Sequence, residues 1–134
     1  PSQYPSINAV AAVDETGQVA DFSSRGPSGL PHTGQTPGWK PDFAAPGVAV
    51  LSSVPGNKYA KYSGTSMAQP HFSGALLALM TKFPKLTHDQ ITTVLKESAT
   101  DAGARGRDLE FGYGIINVAR ALEVAAARFP GAAA

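Results

Sequence analysis

The spacing of apolar residues divides the chain into two parts. In the first part, short apolar runs alternate with turns. Residues 6–14 (SINAVAAVD) and residues 48–52 are predicted to be buried strands, and turns are predicted at Pro46-Gly47 and at Pro55-Gly56. Residues 19–24 (VADFSS) predict another strand, joined to the first as a hairpin through Gly17. A strand buried on both faces needs neighbours, and this chain offers few.

From residue 65 onward, apolar residues recur at intervals of three and four. This spacing predicts a helix from Met67 to Phe83, which Pro84 ends. Pro70 is tolerated if it lies in the first turn, where its missing N–H would have no partner.

Two further helices carry start signals. Thr87 and Gln90 form a capping-box pattern, which predicts a helix over residues 88–98. Asn117 is a suitable N-cap for a last helix over residues 118–128.

Strands followed by helices predict an α/β fold, and the pattern fits the closing part of such a domain. We predict a single, incomplete domain over residues 1–130 and a frayed tail over residues 131–134. Residues 26–41 hold four Gly and four Pro, a density that predicts a loop.

Composition narrows the class of protein. Hydrophobic residues make up 43% and charged residues 16% of the 134 residues, which is typical of a globular domain with a core. The net charge of +1 gives no basis for binding nucleic acid or an anionic membrane. The chain has no cysteine, so disulfides and thiolate metal sites are excluded. We find neither a stretch long enough to span a bilayer nor a signal peptide.

Ser66 is the candidate nucleophile. It follows Gly64, which allows a tight or left-handed turn, and it lies in the first turn of the predicted helix. Unpaired N–H groups at a helix N-terminus could stabilise an oxyanion formed by acyl transfer. A serine at a helix start is nevertheless more often a cap than a nucleophile. The stretch is also not the Gly-x-Ser-x-Gly elbow of α/β-hydrolases, because Ala68 replaces the second glycine.

A base for Ser66 is harder to find. His71 lies five residues later on the same helix, which rotates it by roughly 140° from the serine. We therefore predict a structural His71, packed under the helix, and solvated His32 and His88. The histidines lack metal-ligand spacing. The aspartates are predicted to lie in turns or on solvated connections: Asp14, Asp42, Asp101 and Asp108.

The stretch YSGTSMAQPHFSGALLAL, residues 62–79, closely resembles the nucleophile motif of the subtilisin-like serine proteases, the subtilases. The family pattern Gly-Thr-Ser-Met-Ala-x-Pro-His is complete from Gly64 to His71. Further stretches resemble the family in order and spacing: YPSINAVAAVD, ADFSSRGP, KPDFAAPGVAVLSSVPG and YGIINVARAL. The resemblance extends from Pro1 to about Arg128.

The resemblance implies a three-layer fold, with a parallel sheet between helices, of which this chain holds only the C-terminal strands and helices. It implies that Ser66 is the catalytic serine and that its N–H is one donor of the oxyanion hole. Four residues would flank the serine, with Met67 on the leaving-group side: Ser63, Gly64, Thr65 and Met67. It also implies a secreted enzyme that acts on proteins or peptides.

The remaining catalytic groups of the family have no match. The sequence contains neither Asp-[Ser/Thr]-Gly nor His-Gly-Thr, and the oxyanion Asn would precede Pro1. We therefore expect a serine endopeptidase whose Asp, His and Asn come from an N-terminal part, either another chain or a missing segment, with the isolated chain inactive. The alternatives are an inert fragment or non-catalytic binding module and, less favoured, an esterase-like hydrolase.

Members of the family often bind structural calcium. One family site uses main-chain carbonyls near the positions of Tyr4 and Ile7, so the resemblance implies a calcium site there, although catalysis requires no cofactor.

Overall fold

A computed structural model describes residues 7–29 and 38–134. The described residues form four strands, three α-helices and a short 3-10 helix: β1 (Val10–Val13), β2 (Phe43–Pro46), β3 (Val50–Val54), β4 (Lys58–Tyr62), α1 (Thr65–Lys82), α2 (His88–Ser98), α3 (Val118–Arg128) and the 3-10 helix (Pro130–Ala132). None of these helices is long and apolar enough to cross a membrane.

The first two strands form a buried parallel pair, in which Val10 is opposite Phe43. All four residues of β1 are buried, as its continuous apolar run predicts. The first three residues of β2 are buried as well, although no strand was predicted over residues 43–46. On the other side of β2, Ala44 forms a parallel bridge with Ile115. Parallel strands combined with helices confirm the α/β class.

The other two strands form an antiparallel hairpin, β3–β4. Its turn contains Gly56 and Asn57 at φ 86° and 54°, the left-handed region that these residue types tolerate best. Most side chains of both strands are exposed within the described part of the chain. The predicted buried strand over residues 48–52 is therefore wrong in its burial, and the observed strand lies two residues later, at Val50–Val54. The predicted first hairpin is wrong beyond its turn: Val19 makes one bridge to Val13, and the backbone turns again at residues 21–23.

Helix α1 packs on the parallel pair through a stripe of buried residues at helical spacing: Ala68, Phe72, Ala75 and Leu79. The rings of Phe72 and Phe43 are 5.4 Å apart between centroids. The helix begins at Thr65, so Pro70 is its sixth residue and the prediction of a first-turn proline was wrong. Because Pro70 has no N–H, the carbonyl of Ser66 lacks its usual partner four residues later.

The last two helices begin and end as predicted. Thr87 and Gln90 form a reciprocal capping box at the start of α2, and the Asn117 side chain accepts from the Arg120 N–H at the start of α3. The tail that was predicted to be frayed begins within the 3-10 helix Pro130–Ala132. Ala132 is buried, and its carbonyl accepts from the N–H of Lys85, because a small apolar residue fits against the end of α1.

Candidate active site

Ser66 is the second residue of α1 and is exposed, as a nucleophile must be. The chain reaches it directly from β4, through Ser63 and Gly64. No side chain in the described part of the chain hydrogen-bonds the Ser66 hydroxyl. Its oxygen is therefore available to a base and to a substrate.

The segment before the serine is held by the turn before β3. The Gly64 N–H donates to the Gly47 carbonyl at 2.8 Å, and the Ala49 N–H donates to Ser63 Oγ at 2.8 Å. Gly47 must be glycine, since an added Cβ would lie 2.6 Å from the Cβ of Ala12 and 2.8 Å from the Gly64 carbonyl oxygen. The close contact of the Gly47 backbone with Ala12 and Gly64 thus fixes the path of the chain into α1.

Gly64 itself is extended, with φ 162° and ψ 159°, so the chain does not use the tight or left-handed turn that this glycine allows. The N-cap is a glycine without a capping side chain, and the first turn holds no acidic residue. The N–H groups of Met67 and Ala68 both donate to the Gly64 carbonyl, at 3.0 and 3.3 Å. The N–H groups of Thr65 and Ser66 find no acceptor among the described residues, so the positive end of the helix stays open beside the hydroxyl.

Two clefts meet at Ser66. One has a volume of about 390 Å³ and lies beside Thr65 and Gln69, with the segment 24–29 as its far wall. The other has a volume of about 570 Å³, is largely apolar, and lies beside Met67 and His71 against β3. An extended peptide crossing the serine would enter both clefts. The four positions predicted to flank the nucleophile lie next to it along the chain, at the end of β4 and the start of α1: Ser63, Gly64, Thr65 and Met67.

Among the residues that the structure describes, no base is hydrogen-bonded to the serine. His71 is exposed rather than packed under the helix, so that prediction was wrong: its side chain lines the open cleft between α1 and β3. Its Nδ1 lies 2.9 Å from the Met67 carbonyl oxygen and makes no hydrogen bond to Ser66. His88 is exposed at the start of α2, and His32 lies outside the described residues.

Of the four aspartates considered above, three occupy turns, as predicted. Asp14 accepts from the Thr16 hydroxyl and from the N–H groups of Gln18 and Thr16, which lowers its pKa below the ordinary value of 3.8. Asp101 accepts from the Gly106 N–H, and Asp108 from the N–H groups of Glu110 and Phe111. None of the three contacts Ser66.

Asp42 does not lie on a solvated connection, and that prediction was wrong. Its side chain is only 16% exposed and pairs with Lys40 at 2.6 Å and with Arg107 at 3.6 Å. It also accepts from the Ala9 N–H at 2.8 Å, which joins the start of β1 to the start of β2. Charged residues between Trp39 and Phe43, just before a buried strand, were the available signal for this cluster.

The predicted metal ligands are only partly described. Tyr4 lies outside the described residues. The Ile7 carbonyl accepts from the Lys40 ammonium at 2.6 Å. Among the described residues, no group of three or more His, Cys, Asp or Glu side chains could hold a metal ion.

Comparison with known proteins decides the family. The model of the Subtilase family (peptidase S8) matches residues 1–114. The chain belongs to the subtilase family. It is 40% identical over 123 residues to subtilisin from Bacillus pumilus, covering 92% of this chain and 39% of that protein. It is 36% identical to a thermostable alkaline protease from Halalkalibacterium halodurans, covering 92% of this chain and 30% of that protein.

A solved structure supports the same assignment. Fervidolysin from Fervidobacterium pennivorans, a keratinolytic enzyme related to subtilisin, superposes with a TM-score of 0.75 at 33% identity, covering 92% of this chain and 20% of that one. The fold is therefore subtilisin-like, as predicted. This subtilase chain spans about two fifths or less of the length of the relatives it matches. The relatives of this chain are therefore serine proteases.

Proposed function

We propose that this chain supplies the nucleophile, Ser66, of a subtilisin-type serine endopeptidase. The catalytic Asp and His and the oxyanion Asn would come from an N-terminal part that these 134 residues do not contain. One observation carries the proposal: the Ser66 hydroxyl is exposed and unpaired beside its own free N–H, at a helix start without a cap. A serine that merely capped the helix would accept a hydrogen bond from a first-turn N–H.

The reaction would be acyl transfer in two halves. The base takes the proton of Ser66 Oγ as the oxygen attacks the peptide carbonyl carbon, and the resulting oxyanion accepts from the Ser66 N–H. The protonated base then gives its proton to the leaving amine, and the C–N bond breaks. Water deacylates the enzyme by the same steps, releasing an acid and restoring the Ser66 hydroxyl.

The substrate would lie across both clefts. The cleft beside Met67 and His71 would receive the leaving-group side, and the cleft beside Thr65 and Gln69 the acyl side. The absence of acidic residues from the first turn of α1 supports this arrangement, because a carboxylate there would repel the developing oxyanion. The substrate class is proteins and peptides.

The exposed apolar surface of this chain supports the proposal that a further part of the protease packs against it. Within the described residues, apolar side chains are exposed on the hairpin and on α1: Leu51, Tyr59, Tyr62, Leu77 and Met80. A helix that is apolar on more than one face is usually covered on more than one face. We infer that the base-bearing part packs here, and that the isolated chain is inactive. Membership of the family also supports an extracellular location.

Hydrolysis of a denatured protein by the complete gene product tests the proposal. Ser66→Ala should reduce kcat by about 10⁶-fold, since removal of a catalytic serine removes the acyl-enzyme route. Ser73→Ala is the matched control. This exposed serine lies on the same helix and donates a hydrogen bond to the Gln69 carbonyl, so the kcat of the Ser73→Ala variant should be unchanged. Equal activity of the native protein and Ser66→Ala would instead favour the inert fragment or binding module.

A further inference from the structure

The ammonium of Lys40 lies close to two oxygen atoms of the chain, a main-chain carbonyl oxygen and a carboxylate oxygen. The Lys40 side chain is only 9% exposed, which is rare for lysine unless its charge is matched. Its Nζ lies 2.6 Å from the Ile7 carbonyl oxygen and 2.6 Å from Asp42 Oδ2. A main-chain carbonyl and a carboxylate around one positive centre form the oxygen environment that hard metal cations also select.

This ammonium does not fit together with a calcium ion. Calcium takes six to eight oxygens at about 2.3–2.6 Å, so an ion on the Ile7 carbonyl and Asp42 would share the position of Nζ. Two positive centres that close repel strongly in a partly buried site. The second Asp42 oxygen faces Arg107, which adds a further positive charge at 3.6 Å.

We propose that Lys40 is a tethered substitute for a cation at this position, so that the chain needs no metal there. The ammonium ties residue 7, before β1, to residue 42, before β2. The same carboxylate accepts from the Ala9 N–H at 2.8 Å, and the Asp42 N–H donates back to the Ala9 carbonyl at 2.8 Å. The charge of Lys40 therefore holds together the segments that lead into β1 and β2, a role that bound cations have in other proteins.

The site also adjoins the reactive serine. Lys40 lines the cleft of about 390 Å³ whose other wall includes Thr65 and Ser66. Anchoring this wall by a covalently attached cation would make its shape independent of the metal concentration in the medium.

The test compares two substitutions in the complete gene product. Lys40→Ala removes the charge and leaves a space, whereas Lys40→Met removes the charge but fills the space. Both should lower the Tm by roughly 5–15 °C, because Asp42 loses its nearest counter-charge. Melting is measured in ammonium, potassium or calcium chloride and, at equal ionic strength, in choline chloride, whose cation is too large to enter.

Lys40→Ala should regain at least a third of its lost Tm in one of the small cations relative to choline. Lys40→Met should show the same cation dependence as the native protein, whatever other sites the complete protein has. Equal cation dependence of Lys40→Ala and Lys40→Met would overturn the proposal. So would a calcium response of the native protein that Lys40→Met abolishes, because a metal would then occupy the site beside Lys40.

Discussion

The N–H of Gly64 donates to the carbonyl oxygen of Gly47 at 2.8 Å, which fastens the backbone two residues before the serine to the turn before β3. Gly47 also follows β2, whose N–H groups and carbonyls pair with β1. The position of Ser66 is thus set by the buried parallel strands through one glycine, rather than by the exposed hairpin alone.

Replacing this glycine should disturb both stability and catalysis. In Gly47→Ala, the new methyl group would lie 2.6 Å from Ala12 Cβ, so the turn must move. We expect a loss of about 1–3 kcal/mol in the free energy of unfolding and a larger fall in kcat than in KM. Urea denaturation and steady-state kinetics of the complete gene product measure these effects. Gly131→Ala, which meets no atom within 4 Å, is the control, and equal behaviour of the two variants would contradict the account.

The capping box of α2 should contribute measurably to the free energy of unfolding. Thr87→Ala removes the hydroxyl that accepts from the Gln90 N–H at 3.2 Å, and we expect a loss of about 1 kcal/mol in the free energy of unfolding. Thr92→Ala is the matched control, because that hydroxyl only returns to the His88 carbonyl of the preceding turn. Urea denaturation that gave Thr92→Ala the larger loss would show that the cap does not hold this helix.

The Asp14 turn should add a small, acid-sensitive term to stability. The pKa of Asp14 is lowered chiefly by the Thr16 hydroxyl and then by the Gln18 N–H. The stabilisation by the ionised Asp14 carboxylate is therefore fully present when the pH is above the ordinary pKa, and it is lost as the pH falls through the lowered pKa. Asp14→Ala should be less stable than the native protein at about pH 7, and the difference should narrow toward about pH 2. Urea titrations at both pH values, with Glu15→Ala as control, check the sign; a gap that widens in acid would refute it.

The isolated chain should be marginally stable. Leu51 and Leu77 are 62% and 67% exposed, so part of the apolar surface remains in water and contributes no folding free energy. We expect a broad melt at low temperature by circular dichroism, and a sharper and higher one for the complete gene product. A cooperative melt of the isolated chain at high temperature would contradict this expectation.

Local signals explain what the sequence could predict. The bounds of α2 and α3 followed from Thr87, Gln90 and Asn117, whose side chains form hydrogen bonds to backbone groups three residues away in sequence. Buried strand β1 followed from its apolar run, whereas buried strand β2 was not predicted. Helix α1 began two residues earlier than predicted because Pro70 was placed in its first turn.

Long-range contacts explain what it could not predict. Strand β4, Lys58–Tyr62, carries two lysines and two exposed tyrosines, so its alternation gives no buried face to detect. Asp42 was assigned to a solvated connection because two of its partners, Ala9 and Arg107, lie far away in sequence. The candidate nucleophile came from a local motif, whereas no local pattern predicted a base, and none of the described residues is hydrogen-bonded to Ser66 as one.

Labelling with a fluorophosphonate, mapped by peptide mass spectrometry, tests the central claim most directly. The reagent adds to a serine only when a base activates the hydroxyl. We predict stoichiometric label on Ser66 in the complete gene product, none in its Ser66→Ala variant, and none in the isolated chain. Absence of label from the complete product, or label on a different serine, would contradict the assignment of Ser66 as the nucleophile.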